Sequence, residues 1–194
     1  MKEIRVIRDL IISNRSCRRF EEGFAIERRT LEELVDLARL SPSAANLQPL
    51  KYILSHEPQE NARIFPHLAW AAYLKDWPGP SPGERPAAYI IILGDTQISK
   101  GFGCDHGIAA QSILLGAREK ELAGCMIGLI KREALRETLA IPPRCEILLV
   151  IALGKPREQV VIDELGPNGD IKYWRDRDAV HHVPKRSLKE IILD

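Results

Sequence analysis

Ile4, Ile7, Leu10 and Ile11 recur at helical spacing, which predicts a helix over about residues 3–13 with one buried face. Thr30-Leu31-Glu32-Glu33 sets an oxygen acceptor three residues before a carboxylate, so a second helix is expected to start at a Thr30 cap. Leu31, Leu34, Val35, Ala38 and Leu40 would be its inner stripe, and Pro42 stops it. Residues 51–55 read as a strand, and residues 58–74 as helix in two pieces around Pro66. An apolar strand is expected over 87–93 and a long helix over 105–122, with Ile108, Ala109, Ser112, Leu115 and Gly116 facing inward. The small residues Ala109, Ala110, Ser112, Gly116 and Ala117 let another helix come close. A short glycine-bounded strand at 124–128 and a helix over 131–139 follow. The run 146–154, apolar from Ile147 to Leu153, is expected near the centre of a sheet.

Two stretches break this pattern. Residues 77–86 hold four prolines and two glycines, which exclude helix or central strand. Because an apolar strand begins at once afterwards, they read as a surface excursion within one domain spanning 1–194. From 155 to 194 the chain turns polar, with short extended pieces at 160–162 and 171–174 and a last helical turn at 188–193. Such an arm carries too little apolar surface to fold alone, and is expected to wrap the body or a second subunit.

Composition narrows the partners. The chain is 45% apolar and 28% charged, as a soluble protein with a real core should be. Its 28 basic and 27 acidic residues nearly cancel, so no bulk field draws it to nucleic acid or membrane. Any anion site must be a local cluster. Cys17, Cys104, Cys125 and Cys145 show no C-x-x-C spacing, which argues against zinc or dithiol motifs and fits reduced thiols in a cytosol. No start resembling a signal peptide and no apolar run near the roughly 18 residues that span a bilayer is found, so a cytoplasmic protein is expected.

The candidate chemistry is sparse. Asn14-Arg15-Ser16-Cys17-Arg18-Arg19-Phe20 gathers three guanidinium groups, the side chain suited to gripping phosphate. The plain alternative is a solvated basic turn after a helix. Residues 41–49, Ser-Pro-Ser-Ala-Ala-Asn-Leu-Gln-Pro, form a small polar loop rich in amide donors, or simply a helix-to-strand connection. Gly101-Phe102-Gly103-Cys104-Asp105-His106-Gly107 has its third glycine one residue too late for a dinucleotide loop. The histidines are scattered, and adjacent His181 and His182 would point opposite ways in an extended segment, which disfavours a metal site. No G-x-S-x-G context marks a nucleophile. What remains is an anion site with Arg15 and Arg18 early and Lys185-Arg186 late, parts that suit a phosphate-bearing cofactor whose own ring does the chemistry.

Taken together, these stretches resemble the FMN-dependent nitroreductase family. The matching motifs are Arg15-Ser16-Cys17-Arg18-Arg19-Phe20, then Pro42-Ser43-Ala44-Ala45-Asn46-Leu47-Gln48-Pro49. The third is the helix with Asp105 and Ala109-Ala110-Gln111 leading to Gly124-Cys125-Met126-Ile127-Gly128. The resemblance implies an α+β fold: a central, mostly antiparallel sheet wrapped by helices, in a homodimer whose C-terminal segment (155–194) is exchanged between subunits. It implies FMN held by Arg15, Ser16 and Arg18 at its phosphate, with Lys185 and Arg186 completing that end. Pro42, Ser43, Ala44, Asn46 and Gln48 would meet the flavin from the partner chain, and Met126, Ile127 and Gly128 would lie along its ring. Trp77, Tyr173 and Trp174 are the candidates for the pocket wall. Asn14 stands where many members carry Arg, and Leu50 where an aromatic is usual. The implied activity passes a hydride from NADH or NADPH through flavin to a small organic acceptor, a nitroaromatic or quinone, by ping-pong turnover. A family member with another reductive reaction such as dehalogenation, and a flavin-storage protein, are the competing readings.

Overall fold

A computed structural model describes residues 6–193. Helices α1 (Val6–Ser13) and α2 (Arg28–Arg39) lead through a 3-10 turn at Ala44–Asn46 into strand β1 (Leu50–Ser55). Helix α3 (Pro58–Ile64) and a 3-10 turn at Phe65–His67 precede β2 (Ala88–Asp95), and α4 (Asp105–Glu119) leads into β3 (Ala123–Ile127). Helix α5 (Arg132–Thr138) and β4 (Cys145–Gly154) complete the body. The arm adds β5 (Val160–Glu164), β6 (Trp174–Arg175), β7 (His181–Lys185) and α6 (Leu188–Ile191).

The main sheet has the order β1-β2-β4-β3, antiparallel throughout, so the two most apolar strands take its centre. Every residue of β2 is buried, which requires a layer over each face. Ile90, Ile92, Ile151 and Leu153 pack under α2 and α4 with Leu31, Leu34 and Ile113. Tyr89, Ile91, Val150 and Ala152 face Ile64, Trp70 and Leu135 on the other side. Each fully buried side chain of this kind contributes about 1.5–3 kcal/mol. Helix α4 reaches α2 closely because Gly116 carries no side chain: a Cβ there would sit 2.3 Å from Leu37 Cδ1. The arm builds its own small sheet, β5-β7-β6, with β5 and β7 parallel. No helix among the described residues is long and apolar enough to cross a membrane.

Several expectations are corrected. The predicted first-helix residues 3–5, Ile4 included, lie outside the described residues. In the rest of that helix no residue is buried, and Ile7 and Ile11 are 62% and 46% exposed, because no other described residue covers that face. Helix α2 starts before Thr30: the Glu27 carbonyl, on extended backbone, accepts the Thr30 and Leu31 amides, so Thr30 lies inside the first turn. Leu40 is its exposed C-cap residue, not part of the stripe. Helix stops at His67, since the next residues run extended, with Leu68 bridged to Ile130 and the Ala69 amide donating to Leu129. On α4 the buried side is Ala109, Ala110, Ile113, Leu114, Gly116 and Ala117, while Ile108, Ser112 and Leu115 are half-buried. Strand β7 adds to the extended pieces read in the arm, and the piece at 171–174 shrinks to Trp174–Arg175.

Phe20 is fully buried and lies flat on Gly154, where a Cβ would fall 2.7 Å from its Cδ1. Gly154→Ala should therefore lower stability by about 1–3 kcal/mol through overpacking. Gly23→Ala, which meets nothing within 4 Å, should stay within about 0.5 kcal/mol. Urea unfolding of both variants checks the contrast.

Candidate functional site

After α1 the basic stretch runs beside the edge of β3. Ser16 forms a parallel bridge with Gly124, the Cys17 amide donates to the Gly124 carbonyl at 3.0 Å, and Phe20 bridges Pro156. With Cys17 and Phe20 turned into the core, Arg15, Ser16 and Arg18 border a cleft of about 310 Å³. Met126, His181 and Lys185 line it from β3 and β7.

The cations around this cleft are not neutralised. Arg19, Arg175 and Arg186 pair with Glu84, Glu158 and Glu190 respectively. Arg15, Arg18 and Lys185 have no carboxylate in ion-pair range among the described residues. Arg15 spends one Nη on the Ile11 carbonyl at 2.8 Å, and its buried Nε has no partner. Burial also pulls its pKa below the usual arginine value. The Arg18 guanidinium lies 5.0 Å from the centre of the Tyr173 ring, with Nη1 3.5 Å from both the Ser16 carbonyl and His181 Nε2. Beyond Arg18 and Met126 the cleft continues as a hollow of about 160 Å³ over Ile127, Gly128 and Leu129.

The loop at 42–48 sits elsewhere, around a separate cavity of about 210 Å³. Its shape is set by Asp105 at the start of α4, a buried carboxylate that accepts from the Ser43 hydroxyl at 2.6 Å and the Ala44 amide at 3.0 Å. The Ser43 oxygen in turn accepts the Gln48 amide at 2.9 Å. These bonds hold Ala45, Asn46 and Gln48 at φ of 48°, 55° and 52°. A further cavity of about 470 Å³, between residues 22–28 and 56–65, contains none of the motif residues.

Residues 11–155 match the sequence pattern described as the Nitroreductase family. The chain belongs to that family. An Archaeoglobus fulgidus relative, provisionally named NADH dehydrogenase/NAD(P)H nitroreductase, is 27% identical over 158 residues, 77% of this chain and 85% of the relative. A nitroreductase family structure from Clostridium novyi NT superposes with a TM-score of 0.65 at 20% identity, covering 95% of this chain and 98% of its own. A Clostridium difficile R20291 structure, named FMN-dependent nitroreductase, gives a TM-score of 0.63 at 21% identity, over 77% of this chain and 87% of its own. The likeness to the C. novyi fold thus runs through the arm as well as the body.

Seen within the nitroreductase family, the expected site residues divide. Arg15, Ser16, Arg18, Met126 and Lys185 meet at one cleft, and Ile127 and Gly128 line its continuation, although the Ile127 side chain is buried. Pro42, Ser43 and Gln48 border the other cavity, with Ala44 and Asn46 exposed on the same loop. Arg186 lies outside the cleft, drawn 3.6 Å from Glu190 on α6. Tyr173 lines the cleft, whereas Trp174 stacks on His182 at 4.0 Å and Trp77 lies under Arg175. Three residues escaped sequence reasoning. Gln111 lines the cleft from α4, and was visible only as part of the third motif. His181 is fully buried there. Glu158, a lone acid two residues past Pro156, carries no periodic signal, yet its carboxylate accepts the amides of Arg18 and Arg19.

The adjacent histidines take opposite roles in the arm. Burial, then Arg18, Arg175 and His182, push the His181 pKa down to about 4. His182 bonds Asp176 at 3.2 Å and Asp163 at 2.8 Å, which raises its pKa. Unfolded His181 takes up a proton below about pH 6.5 and the folded residue resists it, so its contribution falls from there towards pH 4. The His182 contribution is complete below about 6.5 and is lost as pH rises through its higher folded value. Thermal unfolding of wild type should peak near pH 6.5. His182→Gln should flatten the limb just above the peak, and His181→Gln the limb just below it.

Proposed function

We propose that this chain is an FMN-dependent NAD(P)H oxidoreductase acting as a homodimer, with residues 1–194 forming one FMN-binding domain. The observation that carries the reading is the trio Arg15, Arg18 and Lys185, three cations without carboxylate partners among the described residues, around a cleft that continues along Met126–Gly128. The orphaned Arg15 Nε and the half-buried guanidinium fit a phosphate monoester, which offers several acceptor oxygens. The name of the C. difficile neighbour and the names of the curated relatives support FMN and NAD(P)H as the partners. Bound there, FMN would supply the redox chemistry, taking two electrons from NAD(P)H and passing them to a small organic acceptor in a second half-reaction. The protein's part is grip and orientation, with no side chain needed as acid or base. Arg15, Arg18 and Lys185 hold the anionic end, Ser16 offers its hydroxyl, and the Tyr173 ring and Met126 wall the channel.

The distance between the two motif groups favours a dimer. Pro42, Ser43 and Gln48 line a cavity that shares no residue with the cleft, so they would complete the site from a second copy. The uncovered apolar residues of α1, Val6, Ile7, Ile11 and Ile12, suit the contact this requires, as do Leu188, Ile191 and Ile192 near the C-terminus. An exchanged arm would bring the latter group onto the partner. Four free cysteines, three of them buried, fit a cytoplasmic setting.

Purified protein should be yellow and release FMN at about one equivalent per chain. Colourless protein that takes up no added FMN overturns the reading. Arg15→Ala and Lys185→Ala should each weaken FMN binding by roughly 10- to 100-fold, the worth of a charge-assisted hydrogen bond, measured by quenching of flavin fluorescence. Parallel double-reciprocal lines are expected with NAD(P)H and quinone as varied substrates; intersecting lines would exclude the two-half-reaction scheme.

A further inference from the structure

The side chain of Glu158 is wholly buried, at 0% exposure. A carboxylate out of water is tolerated only when its oxygens are saturated by donors. Here the donors come from both ends of the chain. One oxygen accepts the backbone amides of Arg18 and Arg19, the latter at 3.2 Å. The other accepts Arg175 Nη2 at 2.8 Å, from β6 of the arm. Arg175 in turn rests on the Trp77 ring, 4.3 Å from its centre. The Arg157 amide adds a bond to the Arg19 carbonyl at 2.9 Å, and Arg19 itself is held by Glu84.

This arrangement has a direction. Glu158 takes the amides of the basic stretch from behind, while the Arg18 side chain faces the cleft between Tyr173 and His181. It also neutralises Arg175, while Arg15, Arg18 and Lys185, which line the cleft, pair with no described carboxylate. A structural ion pair alone would have no need of the Arg18 and Arg19 amides. Resting on the reading of the cleft as an FMN site, we propose that Glu158 is a positioning residue for the phosphate end of the cofactor. Through it, docking of the arm and capture of the phosphate are thermodynamically linked. Glu158 touches no ligand; it acts through the backbone that aims Arg18. Because linkage is reciprocal, phosphate capture tightens the arm over 157–187, and a loosened arm weakens phosphate capture.

Riboflavin, which has the same ring and lacks the phosphate, separates this role from general stability. Glu158→Gln should weaken FMN binding about tenfold, the loss of one well-placed charged contact, and change riboflavin binding less than about twofold. Glu158→Asp should recover part of the FMN affinity. In wild type, FMN should slow deuterium uptake over 160–171, which lines no part of the cleft, and riboflavin should not. Should Glu158→Gln fail to fold, Arg175→Met serves instead: it cuts the tie to the arm, so FMN should no longer protect 160–171, the part of the arm that lines no part of the cleft. Equal losses for FMN and riboflavin, unchanged FMN affinity, or protection that persists in Arg175→Met would each overturn the proposal. Wild-type protein that binds no FMN would instead overturn the function reading beneath it.

Discussion

Every residue of strand β2 is buried, and so are most of those of β4 beside it. Two such strands force the layout: helices must cover both faces, and the hydrogen-bonding edges are left to the less apolar β1 and β3. The basic stretch takes the β3 edge through Ser16 and Cys17 and is pinned by Phe20 against Gly154. The backbone that carries these guanidinium groups is therefore anchored to the main sheet. A site mounted on a sheet edge inherits the precision of the sheet. Among the described residues the β1 edge has no second strand partner.

A chain of net charge +1 cannot attract anions from a distance. Its selectivity has to come from which cations are spent. Surface arginines such as Arg28, Arg29 and Arg39 are used within a turn of where they arise, on Glu32, Glu33 and Asp36. Arg19 and Arg175 are spent on buried or half-buried carboxylates. Arg15, Arg18 and Lys185 are distinctive because three cations that pair with no described carboxylate converge on one cleft. The same logic removes Arg186, whose charge is engaged by a neighbour on its own helix turn.

Legibility in the sequence followed range. Periodicity located β2, α4 and β4, because these depend on the chain's own neighbours. It misjudged the face of α1, since Ile7 and Ile11 show that an apolar stripe does not say who covers it. Thr30 misled because a capping pattern competes with the stronger demand that Ile26 be buried just ahead of the helix. Glu158 was invisible for a different reason. Its value comes from two amides 139 and 140 residues away, and no local window contains that information. The motif residues of the site were legible as types, but only the fold shows that they divide between two cavities.

The loop at 42–48 holds three consecutive-range residues, Ala45, Asn46 and Gln48, in left-handed backbone, a conformation that costs each non-glycine residue about 1 kcal/mol or more. Asp105 and Ser43 secure that shape through hydrogen bonds within the same chain. Its conformational entropy is thus surrendered during folding, not on encounter. Whatever comes to rest on this loop meets a finished surface, and the free energy of that meeting need not be diverted to shaping it.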